Sequence, residues 1–445
     1  METDSRAVRL LKRPYSLLQS RIAADSGRVL FGAVAGRGAT LIAVLVIARL
    51  IKSQTYGQLA LIQTGTFAVG ATAVLGLNLA TTKWLADVRS QDPPLAGRLI
   101  GTAMTATAIT GIASSCALFI LSTPIAETLL RSGSSVTAIQ LASPLPLVIA
   151  LEAIQLAVLY GVADFSAVLW STLMRGLAVN LLMVAGVVLY GLYGGIVALL
   201  AGELAATCIN LFLVTRSMRR QAIRVRYVPR MPELRLLARL AIPSALSTAL
   251  IQGALWGGQA LLLTLPNGYT EVAYFNVAYR WHVALVFISG ALSPVALSVL
   301  SNLHATKDWK AYAKVLRFNI NANLAAVLIP SVVIMVLSKF VMMLAGSTYE
   351  SAWPTLFWLA VAAVPSAANN LLSQTALSLN LIRQWLLSDV ALAVTLGVLS
   401  FVLIPRFGAS GLAVALASAM TVTCLVLLAP IARATRPLRN AQLNV

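Results

Sequence analysis

Acidic residues are scarce in this 445-residue chain: 14 Asp and Glu stand against 33 Lys and Arg, with only two His. So few carboxylates and imidazoles leave little material for a metal-ligand cluster or a general acid–base set. Cysteine is scarcer still. Cys116, Cys208 and Cys424 fall in apolar stretches at spacings too wide for a metal motif, so neither a disulfide framework nor a thiolate site is indicated. No nucleotide-binding glycine loop or nucleophile–base pair appears, and with them go the usual signatures of ATP hydrolysis and acyl transfer. No cofactor is implied.

What the chain has in quantity is apolar sequence, at 59% hydrophobic residues. About 20 apolar residues cross the hydrocarbon core as a helix, because lipid forces each backbone N–H and C=O to be satisfied within the segment. Such stretches run near 28–51, 56–82, 97–121, 138–161, 166–190, 194–215, 239–265, 270–300, 315–338, 354–379, 385–405 and 409–430. The expected fold is an all-α polytopic membrane protein with twelve transmembrane helices.

The basic residues sort by side. With the N-terminus inside, 25 of the 33 fall on one face, including the run from Arg216 to Arg239, while the other face receives only Arg49, Lys52, Arg131, Lys339 and Arg406. The positive-inside rule then makes both termini cytoplasmic. A net charge of +19 beside membrane spans reads as topology and attraction to anionic lipid headgroups, not as nucleic-acid binding. Residues 5–24 interleave Leu10, Leu11, Leu17, Leu18 and Ile22 with Arg and Lys, the pattern of an amphipathic surface helix and not of a cleavable signal peptide.

Sliding the chain against itself by about 216 residues sets Tyr56–Ala60 over Val272–Asn276, Gly195 over Gly411 and Thr207-Cys208 over Thr423-Cys424. Six spans per half restore the same orientation, so the halves are related by an axis along the membrane normal. The division is a basic arm (1–25), a six-helix lobe (26–217), a basic cytoplasmic linker (218–238), a second six-helix lobe (239–432) and a cytoplasmic tail (433–445). Facing lobes of this kind favour a transporter with its pathway between them.

Charge inside the membrane costs about 2.5–3.5 kcal/mol per residue on insertion scales, so each such residue needs a partner or a wet cavity. Glu152 and Arg175 lie nearly equidistant from the Ala163-Asp164 turn and read as an intramembrane ion pair, with a substrate contact as the alternative. Glu203 is a second partner or a proton site. Asp389, a turn from the cytoplasmic end, is expected to be solvated. Arg37, between Gly36 and Gly38, and Arg280, with Asn276 one turn before it and His282 beside it, have no acidic residue in spans one, two, seven or eight that could neutralise them. A guanidinium matches phosphate oxygens bidentately and sheds water more cheaply than an ammonium, so two of them on facing lobes suit a diphosphate. Gln252, Trp256 and Gln259 repeat at helical spacing and suit sugar hydroxyls and ring faces, or packing equally well.

The stretches Ala48-Arg49-Leu50-Ile51, Tyr56-Gly57-Gln58-Leu59-Ala60 and Asn276-Val277-Ala278-Tyr279-Arg280 running to Pro294 resemble the oligosaccharide flippases of the polysaccharide biosynthesis family (Wzx-like), within the multidrug/oligosaccharidyl-lipid/polysaccharide exporter superfamily. The resemblance implies pseudo-symmetric lobes forming a V-shaped central cavity, open alternately to each side of a bacterial inner membrane. It implies a polyprenyl-diphosphate-linked oligosaccharide as substrate, turned to the outer leaflet for O-antigen or exopolysaccharide biosynthesis, with glycan polymerase and export proteins as partners. Arg280 carries over as a cavity cation and Arg49 as a residue at the outer mouth. Arg37 matches no family motif.

Two other readings stay open: a multidrug or cation antiporter of the same fold, and a membrane-embedded polymerase or ligase of lipid-linked glycans. The first calls for unpaired cavity carboxylates. The second calls for a sizeable outer loop with catalytic carboxylates, where the outer segments near 122–137 and 339–353 contain only Glu127 and Glu350 as acids. Energy comes from a proton or sodium gradient, from membrane potential or from consumption of product.

Overall fold

Every regular element of the computed structural model is helical, and the described residues contain no strand. The described residues are 32, 34–89, 91–130, 135–227, 231–305, 309–379 and 381–434, with side chains described outside 288–314, 316, 318 and 322. The arm at 1–25 and the tail beyond Ala434 lie outside them.

In chain order the elements are α1 (34–50), α2 (Ser53–Ala73), α3 (Leu77–Val88), α4 (Pro93–Ile120), the single turn α5 (Ser122–Pro124), a π turn (Ile125–Leu129), α6 (Ser135–Ala142), α7 (Leu145–Gly161) and α8 (Phe165–Arg220). The second half holds α9 (Met231–Leu262), α10 (Gly268–Ala305), α11 (Trp309–Val336), α12 (Ser338–Met343), a 3₁₀ turn (Ser347–Ala352), α13 (Trp353–Ser378) and α14 (Ile382–Ala434). Among the described residues seven helices are long and apolar enough to cross a membrane, or eight if α2 and α3, bent by 45°, count as one span. The chain is a polytopic membrane protein.

Local chemistry sets the helix starts. Asp92 and Asp164 each accept a hydrogen bond from the backbone three residues on, at Leu95 N (2.9 Å) and Ala167 N (3.1 Å), and Pro93 follows the first cap where a missing N–H costs nothing. α9 begins at Met231, so much of the stretch expected as a linker, from 231 to 238, is helical, and the described non-helical residues of the connection are 221–227.

The two longest helices are each broken once. α8 departs from helical geometry at Tyr190 and Gly191 (φ 58°, ψ −132°), α14 at Gly408 (φ 56°, ψ −134°). A side chain is strongly disfavoured at such angles, so glycine marks both breaks. They lie 217 residues apart, as do the starts of α8 and α14 and the ends of α7 and α13. Contacts recur at the same interval: the Thr207 hydroxyl donates to the Val148 carbonyl and the Cys424 thiol to the Pro365 carbonyl, both at 3.3 Å. The register is thus one residue longer than the sequence match at 216, and Thr207 corresponds to Cys424, not to Thr423. Leu- and Ala-rich helices tolerate either alignment by identity; the backbone breaks do not.

Among the described residues the largest apolar core joins the halves at one end. There Ile47, Tyr56 and Leu59 join Phe275, Tyr349, Leu356 and Leu412 in one buried cluster. Further buried clusters are smaller: one around Leu85, Leu99 and Ile154 takes in Leu237 and Ala241 of α9 and so also joins the halves, and others lie around Leu285 and Ala363 and around Leu427.

Candidate functional site

α2 and α10 cross closely where the halves meet. A Cβ at Gly57 would overlap the Tyr269 carbonyl, so this crossing needs glycine. Close by, the Ser53 and Thr270 hydroxyls are 3.4 Å apart, Tyr269 Oη donates to the Leu130 carbonyl at 2.7 Å, and Arg49 Nε donates to the Leu344 carbonyl at 2.7 Å. Tyr274 and Tyr349 pack edge to face at 5.7 Å. Arg49, expected to meet substrate, is engaged in tying the end of α1 to the segment after α12.

Deeper along the same crossing the contacts turn polar. Arg280 Nη2 lies 3.5 Å from Gln63 Oε1, while its Nε is buried and has no partner among the described residues. Asn276 Nδ2 donates to Gln259 Oε1 at 2.9 Å, and Thr64 Oγ1 donates to the same oxygen at 3.3 Å. Trp256 Nε1 donates to the Leu61 carbonyl at 3.3 Å. The Trp256 and Gln259 stripe therefore knits α9 to α2 and α10, and Gln252 lies half-buried one turn before Trp256. Sequence reasoning overlooked Gln63 and Thr64, since lone neutral polar residues in a span carry no charge signal. The interval of 217 residues that separates Gln63 from Arg280 would have found the first.

Arg37 is exposed on α1, its guanidinium 4.7 Å from the centre of the Phe287 ring on α10. A cation over an aromatic face is stabilised without losing its charge. Among the described residues neither Arg37 nor Arg280 has a carboxylate within ion-pair distance. His282 is buried and stacked on Tyr279, with Nδ1 2.9 Å from the Leu359 carbonyl of α13, so in this conformation it serves a helix contact.

Within the first half, the break in α8 folds Glu203 back over Arg175. The pair is bidentate, Nε to Oε2 at 3.0 Å and Nη2 to Oε1 at 2.8 Å, whereas Glu152, expected as first partner, stands at 3.5 Å. Glu203 is fully buried and Glu152 nearly so. Asp389 departs from expectation: it is 2% exposed, and Ser247 Oγ donates to its Oδ2 at 2.5 Å. Ser247 belongs to α9, which packs against α14 and covers this side chain.

The model of a family described as "polysaccharide biosynthesis protein" matches residues 46–354, more than half of the chain. The chain belongs to the polysaccharide biosynthesis protein family. It is 29% identical over 139 residues to the EPS I polysaccharide export inner membrane protein EpsE of Ralstonia nicotianae (strain ATCC BAA-1114 / GMI1000), a match covering 31% of this chain and 29% of that protein. The EpsE of Ralstonia solanacearum is 35% identical over 69 residues, 16% of each chain. The chain thus spans under a third of the length of these curated relatives. Its fold is that of a multidrug resistance MATE family transporter of the MOP superfamily in an inward-facing conformation (TM-score 0.75, 15% identity, 90% of this chain and 95% of that one). The lipid II flippase MurJ, inward closed, is similar in fold as well (TM-score 0.71, 13% identity, 92% and 87% covered).

Proposed function

We propose that this family member is a flippase that carries a polyprenyl-diphosphate-linked oligosaccharide from the cytoplasmic to the outer leaflet of a bacterial inner membrane. Splitting α8 and α14 at their glycines and joining α2 with α3 and α6 with α7 gives twelve crossings in two six-helix halves, both termini cytoplasmic. The single observation that carries the reading is Arg280: a permanent cation on the seam between halves, its Nε buried and without a partner among the described residues, held by a neutral glutamine. Such a group is costly in a membrane unless an anion visits it. Arg37 supplies a second cation on the facing half. The large apolar core that joins the halves at the Arg49 end supports a cavity closed on the outside.

Alternating access then requires that ligand bind the two packings of the halves unequally. A diphosphate held at Arg280 and Arg37 draws the halves together, and the contacts at Gly57, Tyr269 and Arg49 release as the outer face opens. Coupling to a proton or sodium gradient, through Glu152, Glu203 or Asp389, belongs to the same proposal. The product feeds a glycan polymerase and export proteins for O-antigen or exopolysaccharide. Glu152 and Glu203 both engage Arg175, which argues against a cation antiporter with free cavity carboxylates. Glu350 of the outer segment is paired with Lys339 at 3.1 Å, which argues against its use as a polymerase acid.

The test is to change Arg37 and Arg280 separately to Ala and to Lys and measure surface glycan alongside lipid-linked intermediate. The expected result is intermediate trapped on the cytoplasmic leaflet, with Lys rescuing in part, since a point charge replaces a bidentate fork. Normal export from both Ala variants overturns the reading. Export with failed polymerisation favours the enzyme.

A further inference from the structure

A cavity of about 280 Å³ lies between α2 and α9, on the side of α2 turned away from Gln63. Leu61, Gly65 and Val69 repeat every four residues and form one wall, Gly253 and Trp256 face them, and Leu130 closes one end. The polar atoms at its wall are already satisfied: the Thr66 hydroxyl donates to the Ile62 and Gln63 carbonyls, Thr72 to Val69, and the Trp256 indole to Leu61. Water finds no partners in such a space, whereas hydrocarbon fits it. Gly253 is exposed at the wall of the cavity, and a Cβ there would meet nothing within 4 Å, so the cavity is open to the protein surface at this point.

We infer that this cavity holds the isoprene units nearest the headgroup of the lipid carrier, an inference that rests on the flippase reading. Trp256 stands one helical turn before Gln259, which belongs to the hydrogen-bonded cluster with Asn276 and Thr64. Cavity and polar seam thus share α9 as a common wall, as the two ends of one amphipathic lipid require. At about 30 Å³ per water-sized group, the space takes roughly nine carbon atoms, about two isoprene units. An unsaturated, methyl-branched chain has fewer free rotors than a saturated acyl chain, so ordering it in a fixed cavity costs less. Bilayer tails are as apolar as the cavity, so the gain is packing, not transfer from water, and amounts to several-fold in occupancy.

The experiment uses the full chain in phospholipid vesicles with two photoreactive probes: a long-chain polyprenyl diphosphate bearing a diazirine on its second isoprene unit, and a phospholipid bearing one in its acyl chain. The expected result is that the polyprenyl probe labels peptides around Leu61 and Trp256 in preference to the phospholipid probe. Gly253→Leu, whose Cβ meets no atom within 4 Å and whose side chain adds bulk at the cavity wall, lowers that labelling several-fold. Gly257→Leu, whose new side chain also meets open space but outside the cavity, does not. Polyprenyl labelling elsewhere in the protein, equal labelling by both probes, or equal losses in the two variants overturns the cavity's role and leaves the flippase reading standing. Failure of the wild-type chain to bind polyprenyl diphosphate at all overturns both.

Discussion

Arg280 and Gln63 touch across the seam at 3.5 Å and stand 217 residues apart, the same interval that separates Ser53 from Thr270, also in contact, and Gly191 from Gly408. Two residues at matching places in a repeat meet only where the repeat axis passes between them. α2 and α10 therefore flank that axis, and the charge at their crossing is asymmetric about it, with a guanidinium on one side and a neutral amide on the other.

That asymmetry is open to a direct change. Gln63→Glu keeps Arg280 in place but sets a carboxylate against it, and two unit charges about 4 Å apart at an effective dielectric near 20 attract by about 4 kcal/mol. The substrate diphosphate must displace that carboxylate, so surface glycan is expected to fall by more than about tenfold, while Gln63→Asn stays near wild type. Export unaffected by Gln63→Glu rules out a free charge at this point as the binding element.

Gly57 admits the Tyr269 carbonyl where any Cβ would collide with it. Gly57→Ala is expected to hold α2 and α10 apart at this end of the crossing and reduce export severely. A cysteine introduced by Ser53→Cys then reacts several-fold faster with an impermeant maleimide in the Gly57→Ala background than without it. Unchanged reactivity means that the crossing is not part of the outer closure.

Stability inside the first half is expected to depend on Glu203 more than on Glu152. Removing one partner from a buried ion pair leaves an uncompensated charge and costs about 3–5 kcal/mol. Glu203→Gln breaks the bidentate contact and lowers the unfolding midpoint in detergent strongly, whereas Glu152→Gln, losing one contact at 3.5 Å, lowers it less. The reverse order reassigns the structural role to Glu152.

That the chain is a polytopic, all-helical membrane protein was legible because a bilayer leaves few alternatives to a 20-residue apolar helix. The repeat was legible in kind but not in register, since identities among Leu and Ala slide freely while the left-handed breaks at Gly191 and Gly408 do not. Counting back from the Ala163 turn set Glu152 at the depth of Arg175, yet it could not foresee that the break in α8 returns Glu203 to the same side chain. Asp389 was placed by distance from its helix end, which says nothing of α9 packed over it. Gln63 carried no charge signal, and only the 217-residue register sets it against Arg280.

The most direct measurement is leaflet sidedness in proteoliposomes holding the purified chain and a polyprenyl-diphosphate-linked oligosaccharide, read by access of an added glycosidase to the outer surface. Wild-type protein is expected to expose substrate initially on the inside, and Arg280→Ala to slow that transfer at least about tenfold, as loss of charge-assisted phosphate bonds worth about 1.5–3 kcal/mol each requires. Transfer by Arg280→Ala at the wild-type rate would contradict the account.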